Sequence, residues 1–233
     1  MIDQKFIFFG HQSVGKNIID ALSIAGVASP IPDLKIIELN NVESLETPAF
    51  YHGRIGENLN PSSKNAAFSD ILRRGTGEKI DIAFFKYCYV DIHATTNIHG
   101  LLADYRITMN RLQRQFEAIR FVHVTVPLTV VQTGPRALVK KLINREIGGY
   151  GDNIKRNEFN DLLRLAYDGR EPIFDLAAIE STYPNGTRAA FSQHGRTYYA
   201  MVPEYASDGR HLNEHGAAIV AEQLLKLLAN LSH

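Results

Sequence analysis

The sequence of 233 residues lacks the residues from which disulfide-linked and cysteine-based zinc proteins are built. It has one cysteine, Cys88, and no tryptophan. A single cysteine excludes an intrachain disulfide and a cysteine-based zinc finger. The 25 Lys and Arg residues are balanced by 25 Asp and Glu residues, so the basic excess that attracts nucleic acid or anionic membranes is also missing. We therefore expect neither of these partners.

Long apolar runs are absent as well. No window of the sequence approaches the roughly 18 apolar residues of a membrane-spanning helix. The first apolar run, residues 6–9, is too short for the hydrophobic core of a signal peptide. As written, the chain is expected to be cytoplasmic, although an exported protein whose signal segment had been trimmed would have the same sequence.

The composition that remains is typical of a folded globular protein. The hydrophobic fraction is 45%, which is ordinary for such proteins, and the length suffices to bury one sizeable core. The sequence contains no internal repeat, low-complexity tract or linker rich in Pro, Gly and Ser. We therefore predict a single domain over residues 1–233.

Short apolar runs alternate with helical patterns along the chain, and this alternation predicts the fold class. The runs are residues 6–9, 34–39, 80–85, 121–126 and 172–175; helical spacing is found in 14–25, 101–119, 152–167 and 214–231. This order predicts an α/β fold, a three-layer α/β/α sandwich with a mostly parallel sheet of about five strands. In such sheets the ligand lies beyond the carboxyl ends of the strands.

Three longer segments carry no regular strand pattern. Residues 40–79 and 176–210 are rich in Gly, Pro, Asn and Ser, and are predicted to be irregular. Residues 131–150, with glycines near both ends, are predicted to be an inserted helix that acts as a lid.

The turn after the first apolar run supports two hypotheses. Residues 10–16, Gly-His-Gln-Ser-Val-Gly-Lys, nearly match a phosphate-binding loop, but Asn17 has no hydroxyl to place on Mg²⁺. This match leaves a nucleotide- or phosphate-binding protein as an alternative. In the other hypothesis Ser13 is a nucleophile whose hydroxyl lies near the unpaired N–H groups of a helix start. Serine is also a common helix N-cap, so this hypothesis needs a partner base.

The sequence near the C-terminus supplies such a base. His211 directly precedes the last helical pattern, and Asp208 lies three residues before it. In a turn, this spacing lets the carboxylate reach Nδ1 of the imidazole, which leaves Nε2 free to accept a proton. A polar turn that caps the last helix is the alternative interpretation of Asp208 taken alone.

Together these two blocks resemble the SGNH (GDSL) hydrolase family. The block Gly10-His11-Gln12-Ser13 is similar to the family's nucleophile block, and Asp208-Gly209-Arg210-His211 is similar to its Asp-x-x-His block. The resemblance implies a flavodoxin-like α/β/α fold. It also implies a metal-independent serine esterase with a triad of Ser13, His211 and Asp208 that needs no cofactor. The implied substrate is a small-molecule or carbohydrate ester, including O-acetyl groups on a carbohydrate.

The resemblance is weaker in the middle of the chain. The family places an oxyanion-hole glycine after its second strand, where this chain offers Gly53 or Gly56, of which we favour Gly56. It places an asparagine after its third strand, where this chain has Cys88. The implied oxyanion hole therefore consists of Ser13 and Gly56, with Asn58 as a substitute for the missing asparagine. A weakly active, glycan-binding member of the same fold is a further alternative. Candidate substrate contacts around the site are His11, His52, Arg54, Lys86 and Cys88.

Overall fold

A computed structural model describes residues 1–24, 34–39, 45–132 and 148–232 of the chain. Most of the predicted inserted helix over 131–150 lies outside the described residues. None of the described helices is both long enough and apolar enough to cross a membrane.

The centre of the fold is a parallel sheet of six strands. The strands are β1 Phe6–His11, β2 Ile36–Glu38, β3 Ala49–Arg54, β4 Ile82–Phe85, β5 Arg120–Val124 and β6 Ile173–Phe174. Their order across the sheet is β2-β3-β1-β4-β5-β6, with β1 paired in parallel to both β3 and β4. The predicted fold class, an α/β/α sandwich with a parallel sheet, is confirmed. The prediction of about five strands missed one of the six.

The omitted strand is β3, which the sequence analysis placed inside the irregular segment 40–79. Its sequence, Ala-Phe-Tyr-His-Gly-Arg, has no continuous apolar run, so the pattern of a buried strand is broken by His52 and Gly53. Both residues are nevertheless buried, because β3 lies between β1 and β2. The tertiary position of the strand therefore outweighs its local sequence preference.

Helices cover both faces of the sheet. They are α1 Ser13–Ser23, α2 Pro61–Ile71, α3 Ile98–Gln115, α4 Tyr150–Tyr167, α5 Leu176–Glu180 and α6 Glu214–Leu231. Apolar residues of α1 and α6 fill one core with one face of the sheet, and those of α2, α3 and α4 fill a second core on the opposite face. Four of these helices match the predicted helical segments to within a few residues.

The second segment predicted to be irregular, 176–210, also contains regular structure. After α5 the chain forms an antiparallel hairpin of β7 Ala190–Gln193 and β8 Arg196–Tyr199. Its turn residues His194 and Gly195 both have positive φ angles, as expected for the turn of a two-residue hairpin. Isolated short strands without an apolar run carry little sequence signal, which explains why the prediction was wrong here.

Candidate active site

Ser13 begins helix α1 directly after the first strand. β1 ends at His11, Gln12 is the N-cap residue, and Ser13 occupies the first helical position. The alternative in which Ser13 caps the helix is therefore wrong, and its hydroxyl is free for another partner. As a first-turn residue, Ser13 also has a backbone N–H that takes no part in the helical hydrogen-bond ladder.

The partner of the Ser13 hydroxyl is His211. The Nε2 atom of His211 lies 3.1 Å from Oγ of Ser13, although the two residues are 198 positions apart. Nδ1 of His211 lies 2.8 Å from Oδ2 of Asp208. The structure thus brings the three predicted catalytic residues into one hydrogen-bonded chain. Their catalytic role stays a prediction.

The Asp208 carboxylate fixes both the turn and the imidazole. Its Oδ1 atom accepts the backbone N–H groups of Arg210 and His211 at 2.9 and 2.8 Å. Gly209 has a φ of +80°, which allows the tight turn between them. The hydrogen bonds from the ring and backbone of His211 lower the pKa of Asp208. Asp208 is therefore ionised, so it accepts the Nδ1 proton and leaves Nε2 as the acceptor for the Ser13 hydroxyl.

Two neighbours hold the His211 turn in place. The Tyr89 ring meets the imidazole edge-on, with ring centroids 5.6 Å apart. Asn213 caps α6 by accepting the Gly216 N–H at 2.9 Å, and its amide donates to the carbonyl of Glu204 at 2.8 Å. Asn213, and not Asp208, is therefore the residue that caps the last helix. The Asp208 side chain is left entirely to the turn and to His211.

The loop after β3 is joined to the turn that carries Ser13 by hydrogen bonds from Gln12. The Gln12 amide donates to the carbonyls of Ile55 and Gly56, both at 2.8 Å. Gly56 has a φ of +55°, and a Cβ there would lie 2.6 Å from the backbone nitrogen of Lys64. Only glycine therefore fits between this loop and the start of α2.

The same loop is tied to the turn after β4 by one buried carboxylate. Asp91 accepts the N–H of Leu59 at 2.9 Å and the N–H of Cys88 at 2.6 Å. It also forms an ion pair with Lys64, and both of these side chains are fully buried. The Lys64 ammonium lies 3.4 Å from Oδ1 of Asn58. The two loops that flank Ser13 are thus joined by one ion pair, which the sequence analysis missed because a lone Asp and a lone Lys 27 residues apart form no motif.

Most of the predicted substrate contacts do not reach the surface. His11, His52, Lys86 and Cys88 are all buried. The Lys86 ammonium lies 3.5 Å from the Tyr87 carbonyl and 4.0 Å from the Cys88 sulfur, and both contacts are long. Because the surrounding protein encloses all four side chains, they cannot touch a substrate in this structure. Arg54 is the predicted contact that stays exposed.

His11 and His52 instead form a buried pair under α1. Nδ1 of His11 donates to the Gln12 carbonyl at 2.9 Å, so its Nε2 atom accepts from Nδ1 of His52 at 3.1 Å. Burial lowers the pKa of His11 to about 4, and it lowers the pKa of His52 as well. Both rings are therefore neutral at pH 7. Within the described part of the chain, no three His, Cys, Asp or Glu residues are placed to hold a metal ion.

A cleft of ≈570 Å³ opens beside the His211 turn. Its walls include Leu59 from the β3–α2 loop, Tyr89, Val130 and the residues Asp208 to Arg210. Leu59 is 71% exposed and has a φ of 66°, a strained conformation for a non-glycine residue. Its hydrogen bond to Asp91 holds it there, so the buried ion pair shapes the rim of the cleft.

The fold is shared with several solved structures. Over 95% of its length this chain matches 96% of a member of the lipolytic protein G-D-S-L family from Veillonella parvula DSM 2008, at 11% identity and a TM-score of 0.53. It also matches the periplasmic domain of a lipopolysaccharide acetyltransferase from Salmonella ser. Paratyphi A (97% and 84% covered, 9% identity, TM-score 0.51). A peptidoglycan O-acetylesterase matches over 78% of this chain and 47% of its own length, at 14% identity and a TM-score of 0.50.

The chain therefore has the SGNH hydrolase fold, as the resemblance of its two end blocks implied. Neither a protein-family model nor a curated protein sequence matches it. At these identities the likeness concerns the fold, and the site must be argued from this chain's own residues.

The buried ion pair generates a stability prediction. In Asp91→Asn the Lys64 ammonium stays buried without its counter-charge, which typically costs about 3–5 kcal/mol. We expect urea unfolding to show a loss of that size. Glu222→Gln, which breaks the exposed pair with Lys226, should cost less than about 1 kcal/mol. Equal small losses in both variants would show that the Lys64–Asp91 pair contributes no more than a surface pair.

The pKa of His11 generates a pH prediction. Between about pH 6.5 and 4 an unfolded His11 binds a proton that the folded His11 does not, so stability falls as the pH is lowered through this window. The loss attributable to this residue approaches about 3 kcal/mol at pH 4. Unfolding free energies of His11→Gln should therefore depend less on pH than those of the parent, whereas His99→Gln, on the exposed surface of α3, should follow the parent. An unchanged slope in His11→Gln would contradict the assignment.

Proposed function

We propose that this chain is a metal-independent serine esterase that hydrolyses small acyl esters. The observation that carries the proposal is the chain of hydrogen bonds from Asp208 through His211 to Ser13. It lies at the carboxyl edge of a parallel sheet, where such folds bind their ligands. The same fold occurs in lipolytic proteins and in an O-acetylesterase.

The first half of the reaction forms an acyl-enzyme. Ser13 Oγ attacks the ester carbonyl carbon while Nε2 of His211 takes the hydroxyl proton. The Asp208 carboxylate stabilises the resulting imidazolium without taking its proton. When the tetrahedral intermediate collapses, the bond to the alcohol oxygen breaks and His211 returns the proton to the leaving alcohol. In the second half water attacks the acyl group by the same steps in reverse, and the carboxylic acid and free Ser13 are released.

The oxyanion is stabilised by donors from two elements. The backbone N–H groups of Ser13 and Gly56 provide two donors, and the side-chain amide of Asn58 provides the third. The Lys64 ammonium faces the oxygen of the Asn58 amide, which leaves the NH₂ group to donate. Cys88 occupies the sequence position of the family asparagine, but it is buried and a thiol is a weak donor. This favours Asn58 as the substitute.

Small acyl groups on carbohydrates are the substrates that we favour. Two proteins of the same fold act on acetyl groups by the terms of their names, a peptidoglycan O-acetylesterase and a lipopolysaccharide acetyltransferase. The cleft beside His211 is lined by both polar and apolar side chains, which is typical of sites that bind polar small molecules.

The phosphate-loop alternative is disfavoured by the contacts of its two polar side chains. A phosphate loop needs its lysine to face the turn. Here Lys16 pairs with Asp20, one helical turn further along α1. The Ser13 hydroxyl is also engaged with His211. A weakly active, glycan-binding protein of this fold would have the same geometry. Activity measurements and covalent labelling therefore have to distinguish it from an esterase.

Removal of the nucleophile tests the proposal. In Ser13→Ala the covalent route is lost, so kcat/KM for p-nitrophenyl acetate should fall by about 10³-fold or more. A fluorophosphonate probe should label the parent and not the variant. Ser23→Ala, at the other end of the same helix, should keep both activity and labelling. A Ser13→Ala protein that hydrolyses the ester as fast as the parent would overturn the assignment, and an unlabelled, inactive parent would favour the glycan-binding alternative.

Removal of the Asn58 amide tests the third oxyanion donor. Loss of one such donor typically lowers kcat by about 10²–10³-fold and leaves KM little changed. We expect Asn58→Ala to show this split in steady-state kinetics. Asn185→Ala, in an exposed turn before the β7–β8 hairpin, is the matched control. An unchanged kcat would exclude Asn58 as a donor without affecting the assignment of Ser13.

A further inference from the structure

We propose that the cleft beside the triad selects esters whose alcohol part carries an anionic group, a carboxylate or a phosphate, and that Arg210 binds this group. The inference rests on the proposed esterase function and adds the substrate class. Arg210 lies one residue before His211 and is exposed at the wall of the cleft. Neither the composition, with its zero net charge, nor the Asp-x-x-His motif, which leaves this position variable, singled it out.

The backbone of Arg210 is fixed, whereas its side chain forms no hydrogen bond or ion pair with any residue that the structure describes. Its N–H donates to Oδ1 of Asp208 at 2.9 Å, within the turn that orients the imidazole. Its positive charge acts on the Tyr89 hydroxyl and on Arg156 in the same cleft. Over the ranges that the structure describes, however, no carboxylate lies within ion-pair distance of its guanidinium.

The other charged side chains of the cleft are already engaged in hydrogen bonds or ion pairs. Asp208 is bonded to His211. Asp152 accepts the Ala94 N–H at 2.9 Å and lies 3.6 Å from the guanidinium of Arg156. Arg156 is buried, and its remaining donors reach the carbonyls of Tyr89 and Ile92 and the side chains of Thr129 and Asn153. Among the described charged side chains that line the cleft, Arg210 therefore has the guanidinium that forms no hydrogen bond or ion pair.

The position of the cleft assigns it to the alcohol part of the ester. The leaving oxygen must lie within hydrogen-bond reach of His211 Nε2, because that atom returns the proton. The cleft runs along the turn that carries His211 and past Tyr89, which contacts the imidazole edge-on. The acyl oxygen faces the donors of Ser13 and the β3–α2 loop instead. An anion on the alcohol is thus the group that Arg210 can reach.

The chemistry of the side chain defines the group that it selects. A guanidinium presents a planar fork of donors that matches the paired oxygens of a carboxylate or phosphate. A hydrogen bond to a charged group contributes enough free energy for a roughly tenfold or larger effect on binding. A neutral ester of the same shape forfeits this contact, so discrimination appears in kcat/KM.

The test compares acetyl esters of similar phenols that differ in the charge of one substituent. The probes are 3-acetoxybenzoate, its neutral methyl ester and 3-acetoxyphenyl phosphate, with release of the phenol followed by absorbance. We expect the parent to prefer an anionic ester over the methyl ester by about tenfold in kcat/KM, through a lower KM. The better of the two anionic probes distinguishes a carboxylate from a phosphate. Higher ionic strength should reduce the preference.

Variants assign the preference to Arg210. Arg210→Gln should remove the preference by raising KM for the anionic esters, while kcat/KM for the methyl ester stays within about threefold of the parent. Arg210→Lys should keep part of it. Arg196→Gln, at the exposed start of β8, should change neither.

Two results would overturn the inference. One is a parent that hydrolyses all three esters at similar kcat/KM. The other is an Arg210→Gln variant in which neutral and anionic esters lose activity equally, which would show that Arg210 only supports the Asp208 turn. A parent that hydrolyses none of the esters and resists fluorophosphonate would instead refute the esterase proposal itself.

Discussion

The site depends on one buried ion pair, that between Lys64 and Asp91. Burial of two charges is costly, and such a pair persists where further hydrogen bonds satisfy the remaining oxygens. Here the Asp91 oxygens also accept the N–H groups of Leu59 and Cys88, from the two loops that flank the nucleophile. The buried pair and these hydrogen bonds thereby fix the relative position of both loops. Without it, neither Leu59 at the rim of the cleft nor the Asn58 amide would have a defined place.

A second constraint brings the two ends of the chain together. Ser13 is the first residue of α1, and His211 lies just before α6. These two helices pack on each other over one face of the sheet. Because α1 starts where β1 ends, the packing sets the approach of the imidazole to the hydroxyl. The contact between Ser13 and His211 is therefore a consequence of the core: a cavity in this core, created by a substitution such as Leu224→Ala, would move the imidazole as well as weaken the fold.

The sequence could predict those parts of the fold and site that local patterns encode. Short apolar runs predicted five of the six strands that the structure describes in the sheet, and the spacing of Asp208 and His211 predicted their contact. β3 was missed because its burial comes from its neighbours and not from its own residues. Lys64 and Asp91 were missed for the same reason, since their contact exists only after α2 packs beside the turn following β4. The polar residues His11, Lys86 and Cys88 follow or end strands as expected of site residues, but their side chains are buried.

The hydrogen bonds of the Asp208–His211 turn connect the proposed catalysis with the proposed selection of charged substrates. The Asp208 carboxylate accepts three hydrogen bonds, from the imidazole and from the backbone of Arg210 and His211. Because these bonds satisfy the carboxylate and fix the backbone, the Arg210 guanidinium is not needed to hold the turn and can project into the cleft. Had Arg210 paired with Asp208 instead, its charge would compete with the imidazolium that forms during the reaction. In the proposed esterase the turn thus supplies an oriented base and, on the adjacent residue, a guanidinium that does not hold the turn, so substrate charge could be selected without weakening the triad.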